Sequence, residues 1–521
     1  MQVHRVALKE TNAFSNFFTD YIEGKDQLKP FYGLFPDAGN FKEQLTAKSA
    51  SFSQQHRDTL VNSLLKQYGK LKIPEAVSSN ITLLKDAKTF TITTGHQLNI
   101  FTGPLFFVYK IVAVINACKK LKKLHPGYNF VPVFWMASED HDYEEIRSFS
   151  LYGKKYTWET DQTGAVGRFN PKSIEKLFGD IPGDINIFRE AYLKHATLGE
   201  ACRYYVNELF GKEGLVVIDG DDAALKSLLK PIIREDVLKQ TPKALVEDKN
   251  QKLTALGYHV QVFVRDINFF YLDKGVRGRI EKTADGYAVV DTKIKFSQKE
   301  IEGLIESSPE KFSPNVILRP VYQEVILPNL AYVGGPAEMI YWLQLKGIFD
   351  QFKIPFPILL PRNFALYVEK NHVAKWGKTK LEISDLFKEK NYLFNHWVLK
   401  NTNHNLTLGA ELKDLEKMMD EIKRRATQID PTLAPLVAAE NTRMTKGMEK
   451  VERKMLKAEK RLHEEKLNQI ETVKEALFPK GKLQERYDNY LSFAQKDPAF
   501  ISKMIDVLDP FDFSFNVICD D

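Results

Sequence analysis

The hydrophobic and polar positions of this chain fall into three patterns: short apolar runs, amphipathic helical stretches and a late heptad stripe. The run Thr89-Phe90-Thr91-Ile92-Thr93 is β-branched and aromatic, and it predicts a strand. A loop follows, Thr94-Gly95-His96-Gln97-Leu98-Asn99-Ile100-Phe101, and Thr102-Gly103-Pro104 then opens a long helix. Thr102 or Gly103 can cap that helix, and Pro104 suits its first position. Its apolar residues, among them Phe107, Val108, Ile111, Val112, Ile115 and Leu121, wrap most of the circumference, so the helix is expected to be buried. Lysines 119, 120, 122 and 123 complement its negative end. Tyr128–Met136 is a nearly continuous apolar run, as in a parallel strand covered on both faces. Gly214–Ile218 repeats that pattern and ends in Asp219, Asp221 and Asp222, and Phe356–Leu360 closes a further crossover. The expected fold class is therefore α/β with a parallel sheet.

Other stretches read differently. Residues 1–88 are mostly helical and aromatic, a packing layer. Residues 150–315 are inserted material with hairpin-like segments, including a small α+β unit over 243–312. Leu408, Leu412, Leu415, Met419, Ile422, Ala426 and Ile429 form a heptad stripe, interrupted at Asp430-Pro431 and resumed from Met444 to Leu462. That break predicts two long helices folded back as an antiparallel hairpin. Asp509-Pro510-Phe511-Asp512-Phe513 docks the end of the chain.

Composition narrows the class. At 521 residues, several domains are expected. A net charge of +6 does not by itself indicate nucleic acid. Cys118, Cys202 and Cys519 are isolated, which fits a reducing cytoplasm and argues against disulfides or a zinc site. No apolar run reaches the length of a membrane span.

Two stretches carry candidate chemistry. Strand, glycine loop and helix N-terminus form a geometry that holds anions, although the glycine spacing fits neither a Walker loop nor a dinucleotide fingerprint. A tight structural turn is the alternative. Glu139, Asp140, His141 and Asp142 leave the second strand at its carboxyl end, where ligands bind in open α/β sheets. With Glu144 and Glu145 they repel one another unless Mg²⁺, a substrate amine or a lysine or arginine compensates. A solvated loop capping a helix near Asp142 is the alternative. Asp140 and Asp142 are the first choices for function, with His141 beside them. Arg319 and Arg362 are placed at strand ends, where arginines hold anions.

Thr93–Gln97 with Phe101–Leu105, Phe134–Asp142, Arg319-Pro320, Gln323-Glu324, Gly334-Gly335-Pro336 and Pro361-Arg362 together resemble the BshC cysteine-ligase family of bacillithiol biosynthesis. Leu477-Phe478-Pro479, Leu483–Arg486 and the closing Asp-Pro-Phe extend the likeness over essentially the whole chain. The resemblance implies a Rossmann-like core related to nucleotidylyl transferases, with connecting insertions and a C-terminal α-helical coiled coil that makes a homodimer. The implied division is a core over 1–155 and 313–375, insertions over 156–312 with a core strand near 214–219, and a coiled-coil domain over 376–521.

The implied reaction joins cysteine to the amine of glucosaminyl malate. Hydroxide is too poor a leaving group for an amide to form from a free carboxylate, so the carboxylate must be activated; the related fold implies ATP as the co-substrate, through an adenylate or an acyl phosphate. Thr94, Gly95, His96, Gln97, Asn99, Thr102 and Gly103 would hold substrate or phosphates. The acids 139–142 would bind Mg²⁺ or the incoming ammonium and remove its proton. Arg319 and Arg362 would hold a carboxylate, with Gln323, Glu324, Gly334 and Gly335 completing the set. Many members carry glutamine where His96 stands, which argues against an indispensable acid–base role there. Two other classes stay open: an RNA-binding or tRNA-modifying protein, and a non-catalytic coiled-coil scaffold. Against the first, the lysines are not gathered into one stripe; against the second, a scaffold has no use for polar residues at strand tips.

Overall fold

A computed structural model of the chain describes residues 1–520. Its centre is a five-stranded parallel sheet of β1 (Thr89–His96), β2 (Asn129–Met136), β3 (Val216–Asp219), β4 (Asn329–Gly334) and β5 (Ile358–Pro361), in the order β5-β4-β1-β2-β3. The apolar runs are buried on both faces, as their composition requires. The chain builds outward from β1 through β2 to β3, then crosses to the other side of β1 for β4 and β5. Connections therefore leave β1 and β4 in opposite directions, and a crevice opens between their carboxyl ends.

α1 (Phe106–Leu124) packs on β1 and β2. It starts later than its sequence predicts, and Thr102, Gly103 and Pro104 do not cap it. Phe101, Thr102 and Gly103 take positive φ values of 52°, 71° and 63°, and Pro104 forms a bridge with Asn489. The Asn489 amide donates to Phe101 O at 2.7 Å and Gly103 O at 2.6 Å, and Leu105 N donates to Asp488 O at 2.8 Å. The C-terminal segment thus covers the 101–105 turn.

α2 (Arg319–Ile326) enters β4, and α3 (Pro336–Leu343) leaves it. Arg319 begins a helix and does not end a strand; Pro320 in the first turn marks that start. Between β3 and β4 lies a five-stranded antiparallel sheet spanning Phe269–Pro314. The two ends of the chain meet: Gln2–Val6 pairs antiparallel with Phe515–Cys519, which pairs parallel with Phe364–Val368. The first of these strands is half-exposed and lacks a continuous apolar run, so it does not stand out within residues 1–88, which read as mostly helical.

α4 (Gly409–Ile429) and α5 (Ala434–Leu462) pack against each other across the turn at Asp430, and α6 (Glu464–Leu477) continues toward the core. In their seam Met419 is buried, whereas Ile429, Leu436 and Leu462 are exposed. No helix among the described residues is long and apolar enough to cross a membrane.

Candidate active site

A cavity of about 430 Å³ lies at the carboxyl ends of β1, β2 and β4. An ion pair closes its floor. Lys110, from the second turn of α1, donates to Gly95 O at 2.7 Å and meets the Glu338 carboxylate at 2.6 Å. Glu338 also accepts from Gly335 N at 2.8 Å and from the Tyr332 hydroxyl at 2.5 Å. Burial pulls the Lys110 ammonium below its ordinary pKa. Burial also opposes ionisation of Glu338, but Lys110 and the two donors outweigh it and hold the acid below its ordinary value. Neither residue was singled out from the sequence. Two signals existed: a lysine inside the apolar turn Phe107–Ile111, and a glutamate three residues after Gly335, at the spacing that reaches back to a helix start.

The acidic stretch after Trp135 divides on folding. Asp140 faces the cavity and accepts from Gln97 Nε2 at 2.6 Å, His141 N at 2.7 Å and Arg277 at 3.3 Å. Burial alone would raise its pKa; the His141 side chain, the Arg277 charge, Gln97 and the His141 N–H hold it well below the carboxylate range. Glu139 pairs at 2.5 Å with Lys226, which is fully buried, and burial pushes Glu139 up. At the tip of β3, Asp221 is bound by Arg168 through two hydrogen bonds of 2.7 and 2.9 Å, and the Ser138 hydroxyl donates to Asp219. Cations of the chain itself therefore compensate much of this charge. Asp142 is exposed, lies off the cavity lining and caps the short helix Tyr143–Ile146 through Glu145 N at 3.2 Å. His141 is also exposed and off the lining, with Nδ1 at 2.6 Å from Arg277. The chain turns outward after leaving the sheet, which takes both side chains off the lining, although His141 Nδ1 stays 3.4 Å from the Asp140 carboxylate.

Three buried nitrogens lining the cavity have no hydrogen-bond partner among the described residues: His96 Nε2, Arg319 Nη2 and Arg362 Nε. Burial lowers the His96 pKa to about 3, so its imidazole is neutral. Arg319 lies over the rings of Trp135 and Tyr332, at 5.7 and 5.4 Å, and its Nη1 donates to Gln323 at 3.2 Å. Arg362 is not an open guanidinium: Nη1 and Nη2 are held by Glu485 at 2.9 and 2.5 Å. Gly95 and Gly335 line the cavity through their backbone. A Cβ on Gly95 would meet Tyr332, Trp135 and Arg319 at 3.5–3.7 Å, ordinary contact distance, so crowding does not demand glycine there.

The rest of the expected set supports the site from outside the lining. Thr94 donates to Val333 O at 2.7 Å, and Asn99 to Glu145 O at 2.9 Å. Thr102 and Gly103 lie in the covered turn. Gln323 is buried beside Glu324, and Glu324 pairs with the buried Lys48 at 2.8 Å. Gly334 O accepts from Arg362 N at 2.9 Å. Besides Lys110 and Glu338, the lining includes Arg277, Glu145, Tyr341 and Arg486, which sequence reasoning did not select. Arg277 comes from the inserted sheet and Arg486 from the C-terminal segment, so no local spacing links them to β1.

The comparisons agree on one family. A model described as "Bacillithiol biosynthesis BshC, N-terminal Rossmann-like domain" matches residues 1–363, and one described as "Bacillithiol biosynthesis BshC, C-terminal coiled-coil domain" matches residues 365–519. Similar proteins named "Putative cysteine ligase BshC" occur in Flavobacterium psychrophilum (41% identical, covering 98% of each chain), Flavobacterium johnsoniae (40%, 98% of this chain and 99% of the relative) and Cytophaga hutchinsonii (38%, 99% of each).

Proposed function

We propose, on the premise that this chain belongs to the bacillithiol biosynthesis BshC family, that it is a cysteine ligase of the cytoplasm. In this reading it joins the carboxyl group of cysteine to the amine of glucosaminyl malate, with ATP as co-substrate. The observation that supports it most is the two-signed lining of the cavity. The unpartnered nitrogens of Arg319 and Arg362 share one cleft with the carboxylates of Asp140 and Glu145. Carboxylate or phosphate groups suit the first side, and ammonium groups suit the second.

The N-terminus of α3, at Gly335–Ala337, also faces the cavity and adds the positive end of a helix. Cysteine's carboxylate must first become an adenylate or an acyl phosphate. Asp140, ionised and fixed by its donors, suits ammonium binding better than proton abstraction. Among the described residues no group of three His, Cys, Asp or Glu side chains could hold a metal ion, so Mg²⁺ would enter on the nucleotide phosphates. The same reading takes the α4–α5 hairpin as the contact of a homodimer, because Ile429, Leu436 and Leu462 leave apolar surface uncovered.

The test is incubation with cysteine, glucosaminyl malate and ATP, with mass detection of the amide. Release of AMP or ADP separates the two modes of activation. No ATP-dependent amide from folded protein overturns the proposal.

A further inference from the structure

Glu145 lines the cavity, and none of the described residues donates a hydrogen bond to its carboxylate or pairs with it. The other acids near the reacting centre are committed. Asp140 is held by Gln97, His141 N and Arg277; Glu139 by Lys226; Glu338 by Lys110, Tyr332 and Gly335. The backbone of Glu145 is fixed at both ends: its N–H donates to Asp142 at 3.2 Å, and its C=O accepts from Asn99 at 2.9 Å. Ile146, the next residue, is buried. A fixed backbone with an uncommitted carboxylate at the rim of a cleft is the arrangement a proton acceptor needs.

We propose that Glu145 takes the proton from the attacking amine, an inference that rests on the amide-forming reading of the cavity. The ammonium group of the sugar substrate gives one proton to the Glu145 carboxylate and becomes a neutral amine. The nitrogen lone pair forms the C–N bond to the activated cysteine carbonyl, and the bond from that carbon to the phosphate-type leaving group breaks. The second surplus proton of the nitrogen leaves to water at the cleft mouth.

The electrostatics match that task. Glu145 is exposed at the cavity rim; partial desolvation there, followed by Asp142 and Asp140, raises its proton affinity, while Lys110 opposes them and Glu338 adds to them. Arg277, Arg362 and Arg486 face the same space from other elements. A carboxylate above its ordinary value accepts a proton nearer neutral pH than Asp140 can.

The test compares Glu145→Gln with wild type in two reactions of cysteine and ATP. One uses glucosaminyl malate. The other uses hydroxylamine, which is already neutral at pH 7 and needs no base. The amide-to-hydroxamate ratio is expected to fall on the order of 10²-fold in Glu145→Gln. Its amide rate should then climb with pH as the amine loses its proton unaided, and Glu145→Asp should restore part of the ratio. A ratio equal to wild type overturns the assignment while leaving the ligase reading intact. Neither product from wild type overturns the ligase reading, and this assignment with it.

Discussion

Arg362 and Glu485 are joined by two hydrogen bonds of 2.9 and 2.5 Å, with the arginine side chain 2% and the glutamate 0% exposed. Arg362 follows the edge strand β5 of the core sheet, and Glu485 lies beyond the coiled coil. The pair therefore ties the two parts of the chain together directly beside the cavity. Glu485→Gln leaves a buried guanidinium without its counter-charge and is expected to destabilise the protein by about 3–5 kcal/mol. Urea unfolding checks this; an unchanged midpoint would show that the pair is not a structural tie.

Asp140 and Asp142 should respond differently to substitution by asparagine. Mutual repulsion within the acidic stretch would make loss of either acid neutral or stabilising. The pairing of Asp140 with Arg277 reverses that expectation for Asp140. Asp140→Asn should cost about 1–3 kcal/mol and reduce amide formation. Asp142→Asn keeps a good capping residue at an exposed position and should change stability by less than about 0.5 kcal/mol. Melting temperatures and amide formation measured on both variants distinguish the two roles.

Lys474 sets a pH dependence away from the site. Its ammonium donates to Leu386 O and lies 3.7 Å from the centre of the Phe478 ring, and burial lowers its pKa from 10.5 to about 8. Between these values the unfolded chain binds more protons than the folded one, so stability rises with pH across this window. The contribution is full above pH 10.5 and is lost as pH falls through 8. Lys474→Met should remove this rise. Urea midpoints at pH 8 and 10.5 for both proteins measure it, and parallel curves would contradict the assignment.

The exposed apolar residues of the hairpin predict its role in assembly. Ile429 is 82% and Leu462 72% exposed. Charged replacements at Ile429, Leu436 and Leu462 should shift sedimentation from dimer to monomer while leaving the core folded, since none of the three is buried in it. A wild-type protein that sediments as a monomer at micromolar concentration would sink the dimer reading.

The apolar runs at Thr89–Thr93, Tyr128–Met136, Gly214–Ile218 and Phe356–Leu360 were legible without coordinates. Strands covered on both faces must be apolar throughout, and that demand is written locally. The heptad stripe and its break at Asp430 were legible for the same reason: helical periodicity is a local property. Local sequence also marked Asp140 and Gln97 as candidates, because polar groups at strand tips stand out against such runs; Arg319 was marked on a strand end that folds as a helix start.

Tertiary structure alone decided which of them meet. The order β5-β4-β1-β2-β3 brings Glu338 to Lys110, the inserted sheet brings Arg277 to Asp140, and the returning C-terminus brings Glu485 to Arg362 and Asn489 over the 101–103 turn. Each pairing joins residues far apart in the chain, and no local spacing records it. The same Coulomb and burial energies that drive the acids after Trp135 apart on paper hold Asp140 ionised once Arg277 arrives. The charge of a side chain follows from its identity, whereas its proton affinity depends on what the fold sets beside it.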